Sequence, residues 1–99
     1  MSTRHWYLVQ AFTSVCPAGD GGIVCGGEDA ALYCLSTITL APGERAEVRR
    51  SSEDDDGIIT RTVIATADVD AKNVRTWCVK GRKPSRRLNV QWPQPPHGG

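Results

Sequence analysis

The run Ile58 to Val69, IITRTVIATADV, does most to narrow the folds open to this chain. Ile, Thr and Val fill most of it, and side chains branched at Cβ lose rotamer freedom in a helix but pack well on a pleated surface. The run is therefore predicted to be a strand, and its length calls for a central position in a sheet or a bulge midway. Upstream, Ser51 to Gly57 holds four consecutive acids and ends in Asp56-Gly57, a dipeptide that favours a tight hairpin return. Arg45 to Arg50 is then the preceding strand. Its loose alternation, Ala46 and Val48 against Arg45, Glu47 and Arg49, suits an outer strand with one solvated face.

The remaining segments are read on the same principles. Arg4 to Phe12, with Trp6, Tyr7, Leu8, Val9 and Phe12, is a β-prone mixture expected to form the opening strand. Thr13 to Gly27 contains Pro17 and five glycines, which predicts a long loop with a brief strand around Ile23 and Val24. Ala31 to Leu40 is read as a strand in which Leu32, Cys34, Ile38 and Leu40 share one face. Ala41-Pro42-Gly43-Glu44 follows as a turn, with proline setting φ at the second position and glycine accepting positive φ at the third. Asp70 is expected to cap a helical turn through Lys72 and Asn73, before Val74 to Val79 resumes an extended pattern. Gly81 to Arg87 is a basic connection, and Leu88 to Trp92 a short last strand. Pro93, Pro95, Pro96, Gly98 and Gly99 bar regular structure beyond it.

The chain has 99 residues, which suits one core, so residues 1–92 are expected to form a single domain and 93–99 a Pro/Gly-rich tail. The fold class expected is all-β and mainly antiparallel, a small β-sandwich or partly open barrel of about five or six strands with at most one short helix. Thr37 to Val48, TITLAPGERAEV, resembles the strand-turn-strand hairpin of immunoglobulin-like adhesion and accessory domains, and this resemblance implies the sandwich. His5 to Phe12, HWYLVQAF, resembles the opening strand of NusG-type transcription factors, a likeness that stops at Phe12 and implies no function.

Charge is the most informative feature for function. The net charge of +1 hides two opposed blocks. Residues 51–70 carry Glu53, Asp54, Asp55, Asp56, Asp68 and Asp70 against Arg61 alone, whereas residues 71–99 carry Lys72, Arg75, Lys80, Arg82, Lys83, Arg86 and Arg87 with no acid. Lys80, Arg82, Lys83, Arg86 and Arg87, beside Trp77 and Trp92, form a candidate binding surface. A tryptophan next to arginines makes a good anchor for a partner, and Trp92 is the one expected to be exposed. Ile23 and Val24, in the glycine-rich loop, are a second candidate contact. The same cations and indoles could engage phosphates and bases. Against that, the acidic block repels phosphate and the pI of 7.7 is low for a domain devoted to nucleic acid.

Several chemistries lack their residues. Cys16, Cys25 and Cys34 are spaced by nine and nine, with Cys78 distant, whereas zinc sites bring ligands in close pairs. Asp54, Asp56 and Gly57 match the start of a calcium loop, but Ala65 stands where its glutamate belongs. His5 and His97 lie near the two ends of the sequence, so no base is placed for a nucleophile. The glycine run lacks the lysine and hydroxyl of a phosphate-binding loop. The apolar stretch after Arg4 and His5 stops at Gln10, too short for a signal peptide, and no span suits a membrane. The expectation is a cytoplasmic, non-enzymatic binding protein with no cofactor, metal, membrane contact or small-molecule substrate. It would act on a protein partner or on itself, as small accessory or inhibitor proteins of phages and mobile elements do. A nucleic-acid binder and a virion-type homo-oligomer are the alternatives.

Overall fold

The computed structural model describes residues 4–89. The elements are β1 (Arg4–Phe12), β2 (Ile23–Cys25), α1 (Glu28–Thr37), β3 (Arg45–Glu53), β4 (Ile59–Val69), β5 (Val74–Val79) and β6 (Ser85–Leu88). All six strands join one antiparallel sheet in the order β2-β1-β3-β4-β5-β6. The mainly antiparallel β fold with one short helix is thus present. The sheet is unclosed, and the layer over its covered face is α1.

The long β-branched run takes the place its composition demands. β4 pairs with β3 from Ile59 to Asp68, interrupted at Ile64, and with β5 over Ala65 to Val69. Its register against β3 shifts between Val48 and Arg49, which face Ala65 and Val63 and leave Ile64 as the extra residue of a bulge. At its start, Gly57 (φ 78°) closes the hairpin from β3, and its N–H donates to the Asp54 carbonyl. Asp54 Oδ1 accepts from the N–H groups of Asp56 and Ile58, both at 2.9 Å.

Asp70 does not cap a helical turn. It builds a second hairpin of the same construction, its Oδ1 accepting from the N–H groups of Lys72 and Val74 at 2.8 and 2.9 Å, with Asn73 at φ 63° in the glycine position. Asparagine tolerates that left-handed conformation better than most residues. The Val74 N–H is the main cause holding the Asp70 carboxyl below its ordinary range, with the Lys72 N–H and the charges of Arg86 and Lys72 adding to it against some desolvation. A carboxyl depressed in the fold stabilises above its unfolded pKa, and that contribution is lost as pH falls through the folded value. The β4–β5 turn is therefore expected to survive ordinary carboxylate titration and loosen only in stronger acid. Amide exchange at Lys72 and Val74 checks this, and Asp70→Ala should speed exchange there at neutral pH.

The segment expected as a strand from Ala31 to Leu40 is helical. Glu28 and Asp29 lie in the first turn, where acids oppose the positive end of the helix dipole, and Ala30, Ala31, Leu32 and Leu35 favour helix. The buried residues Ala31 and Leu35, with the partly buried Leu32, Cys34 and Ile38 packed beside them, recur at three and four residues rather than at two. Helix ends where β-branched residues follow, and the Thr37 hydroxyl turns back to the carbonyls of Tyr33 and Cys34. The stretch Thr37 to Val48 is accordingly no strand-turn-strand hairpin. Its turn is real, since Gly43 has φ 88° and the Glu44 N–H donates to the Ala41 carbonyl, but it joins a helix exit to β3.

The core lies between α1 and the sheet: Val9, Ala11, Ala46, Val48, Ala65, Ala67 and Val69 below, Ala31 and Leu35 above, with Leu40 closing one end. Ala11, Ala46 and Ala67 pair in one row across β1, β3 and β4. Small side chains in that row leave space for the helix to settle close to the strands.

Candidate functional site

β5 and β6 form the last hairpin of the sheet, one edge strand beyond the helix. Its turn is set by Gly81 (φ 83°), with the Arg82 N–H donating to the Val79 carbonyl. The stretch Gly81 to Arg87, expected as a connection, is thus half turn and half strand. In β5, alternation sends Arg75, Trp77 and Val79 to the helix side and Val74, Thr76 and Cys78 to the other.

Helix α1 does not reach over this hairpin, so a groove of about 310 Å³ opens between them. Leu32, Leu35, Trp77 and Val79 make it apolar, while Ser36 on the helix and Arg82, Ser85 and Arg87 on the hairpin supply polar edges. A second hollow of about 330 Å³ continues past Ser36, Trp77 and Arg87 to Arg75, Leu88 and Asn89. The Trp77 indole N–H is buried and has no hydrogen-bond partner.

Arg75 holds this region together. It is 5% exposed, and its Nη2 donates to the Leu35 carbonyl at 2.7 Å while Nη1 donates to the Ile38 carbonyl at 2.6 Å and reaches Asn89 Oδ1 at 3.4 Å. Those carbonyls end α1, the negative end of its dipole, so backbone rather than a carboxylate receives the charge. The guanidinium also lies over Trp77, 5.2 Å from the ring centroid, and burial pushes its pKa down. Asn89 Nδ2 donates to the Leu40 carbonyl and to Asn73 Oδ1 at 2.8 and 2.9 Å. Arg75 is therefore structural, and the sequence reading, which counted it only in the charge balance, missed this.

The five sequence-predicted cations, Lys80, Arg82, Lys83, Arg86 and Arg87, are all exposed on this one hairpin. Among the described residues, one ion pair involves them, Arg86 to Asp70 at 3.8 Å between exposed groups, a type worth little in water. The acids Asp54, Asp55 and Asp56 make no ion pair with them. Ile23 and Val24 are exposed in β2, at the opposite edge of the sheet. They are not brought together with the cations. Trp92 lies outside the described residues.

The uncovered face of the sheet is mixed, with an ion-paired cluster on β3 beside apolar side chains of β1 and β2. Glu47, 6% exposed, sits between Arg45 and Arg49 on the same strand, at 3.3 and 2.6 Å. Arg45 in turn lies 4.1 Å over the Phe12 ring. Beside them, Trp6, Leu8, Val24, Arg49, Ser51 and Arg61 line a hollow of about 320 Å³.

Among the described residues no group of three or more His, Cys, Asp or Glu is placed to hold a metal ion, and no helix is long and apolar enough to cross a membrane. The thiols of Cys16, Cys25, Cys34 and Cys78 are free, and Cys16 is exposed. Burial, and then the neighbouring Cys25, push the Cys34 thiol up, which keeps it in the less reactive protonated form at neutral pH. No family model, curated protein or solved structure matches this chain.

Proposed function

We propose that this chain is a non-enzymatic binding protein whose β5–β6 hairpin and adjoining groove receive an acidic, partly apolar segment of a protein partner. One observation carries the reading: Arg82 and Arg87 line an apolar groove on an edge hairpin whose turn adds Lys80 and Lys83, all exposed and unengaged by the chain's own acidic turn. Arg86, opposite Thr76, lies on the other face and pairs with Asp70. A partner's carboxylates would meet Arg82 and Arg87, and its apolar side chains would cover Leu32 and Trp77. Charge at the rim steers encounter and the apolar floor supplies burial. A cytoplasmic accessory or inhibitor role, of the kind phages and mobile elements encode, fits this mode of action.

The apolar floor separates this reading from nucleic-acid binding, because phosphates use the cations but leave Leu32 and Val79 uncovered. A fluorescent peptide of glutamates and leucines is expected to bind more tightly than a single-stranded oligonucleotide of equal charge. Arg87→Glu with Ser36→Glu, one on each side of the groove, should weaken the peptide about tenfold, two rim charges at about 0.5–1 kcal/mol each. The circular dichroism spectrum should be unchanged. Tighter binding of the oligonucleotide, with affinity falling linearly in log salt, would transfer the site to nucleic acid.

A further inference from the structure

A second surface, apart from the groove, is built into β4. β5 covers β4 only from Ala65 to Val69, and the Lys80 N–H adds a bond to the Ile64 carbonyl. Among the described residues no strand pairs with the outer side of Ile59 to Val63. The Ile58 carbonyl accepts from Asp54, so the backbone of Ile58 faces β3. Strand alternation then turns the N–H and C=O groups of Ile59, Arg61 and Val63 outward. Ile58, Ile59 and Val63 are 60%, 45% and 41% exposed.

Among the described residues β2 pairs only with Tyr7 to Val9, and the open Arg4 to Trp6 end of β1 carries Arg4 and His5. β2 has three residues, and β6 carries Arg86 and Arg87. Short length and charge both discourage strand addition. The outer half of β4 has neither protection beyond Arg61, and its composition is that of a strand meant to be paired.

We infer that this edge pairs antiparallel with the same edge of a second copy of the chain, about a two-fold axis normal to the sheet near Thr60. Charge selects the occupant and the direction. The acidic turn with Asp54, Asp55 and Asp56 lies beyond the Ile59 end of the open edge, and the basic turn with Lys80, Arg82 and Lys83 rises beside its Val63 end. Antiparallel pairing exchanges these ends, so the acidic turn of each copy meets the basic turn of the other. Parallel pairing would set acid on acid. Centring on Thr60 places Ile59 opposite Arg61 of the second copy, which keeps the two Arg61 side chains from facing each other, and the two-fold arrangement closes without an open edge to propagate. The two opposed charge blocks of the sequence thereby become complementary halves of one interface. The floor of the groove and Arg87 stay uncovered, but Lys80, Arg82 and Lys83 serve both surfaces, so dimerisation and an acidic partner compete for that turn. Arg61→Pro, which leaves the hairpin cations intact, separates the two readings.

Sedimentation velocity over a concentration series tests it. The wild-type chain should show a reversible monomer–dimer equilibrium. Arg61→Pro removes an outward N–H that β3 does not use, a position where an edge strand tolerates proline, and should raise the dimer Kd about tenfold or more. Asp55→Lys/Asp56→Lys and Arg82→Glu/Lys83→Glu alter exposed turn residues and should each give monomers. Mixed in equal amounts, those two variants should form a heterodimer, since each then offers the charge the other needs. A wild-type chain that stays monomeric at every concentration overturns the inference, as does a dimer indifferent to Arg61→Pro or a mixture that yields no heterodimer.

Discussion

Replacing Arg75 by methionine is expected to lower the unfolding free energy by about 3 kcal/mol, because it leaves buried carbonyls without donors. Methionine matches the length and the packing against Trp77, so the loss reports the missing hydrogen bonds rather than a cavity. The Leu35 and Ile38 carbonyls lose the one side-chain donor each has among the described residues, and Asn89 Oδ1 loses its neighbour. A domain of this size has about 5–15 kcal/mol in hand. The corresponding fall in Tm is roughly 12–24 °C at about 4–8 °C per kcal/mol. Urea denaturation gives the number, and a loss below about 1 kcal/mol would show that the helix end is satisfied some other way. Arg75→Lys should recover part of the stability, since an ammonium keeps the charge but lacks the planar fork that reaches two carbonyls at once.

Leu35→Ala is expected to cost about 2–5 kcal/mol, the range for a buried leucine truncated in a closely packed core. Leu35 is 1% exposed and Tyr33, two residues away, is 70% exposed. In a strand those two side chains would share a face and be buried or exposed together. In the helix they point apart, so Tyr33→Ala should change stability by less than about 0.5 kcal/mol. Comparable losses in the two variants would restore the strand reading of this segment.

The difference between what was legible and what was not follows from the range of the interactions. β1, β3, β4 and β5 were readable because β-branched composition and turn chemistry are local signals: Asp56-Gly57 and Pro42-Gly43 each close a turn where they stand. Helix α1 was misread because Leu32, Cys34, Ile38 and Leu40 happen to alternate, which masks the Ala31-Leu35-Ile38 spacing. Asp29 and Glu28 were the available signal for a helix start. Asp70 was recognised as a capping residue, but a side chain that accepts from two N–H groups serves a hairpin as well as a helix. The NusG-like opening run did become a strand, which its composition alone accounts for.

At the site, the cationic cluster was visible because its members lie within eight residues of one another. Its groove was not, since Leu32 and Trp77 are brought together by the placing of α1 beside β5, which no local pattern encodes. Arg75 shows the same limit, with acceptors 37 and 40 residues away in sequence. Ile23 and Val24 were read as a second contact because they sit in a glycine-rich loop, and strand order puts them at the edge away from the cations.

The central claim is that the hairpin cations and the Trp77 groove act as one accessible surface. An amide and indole NMR titration of the labelled chain with the glutamate–leucine peptide tests it most directly. The account predicts shifts confined to Leu32, Leu35 and Ser36 on the helix and to residues 77–87, including the Trp77 indole N–H. Shifts centred instead on Ile23 and Val24 or on the Trp6 and Arg49 face, with the Trp77 indole unmoved, would contradict it.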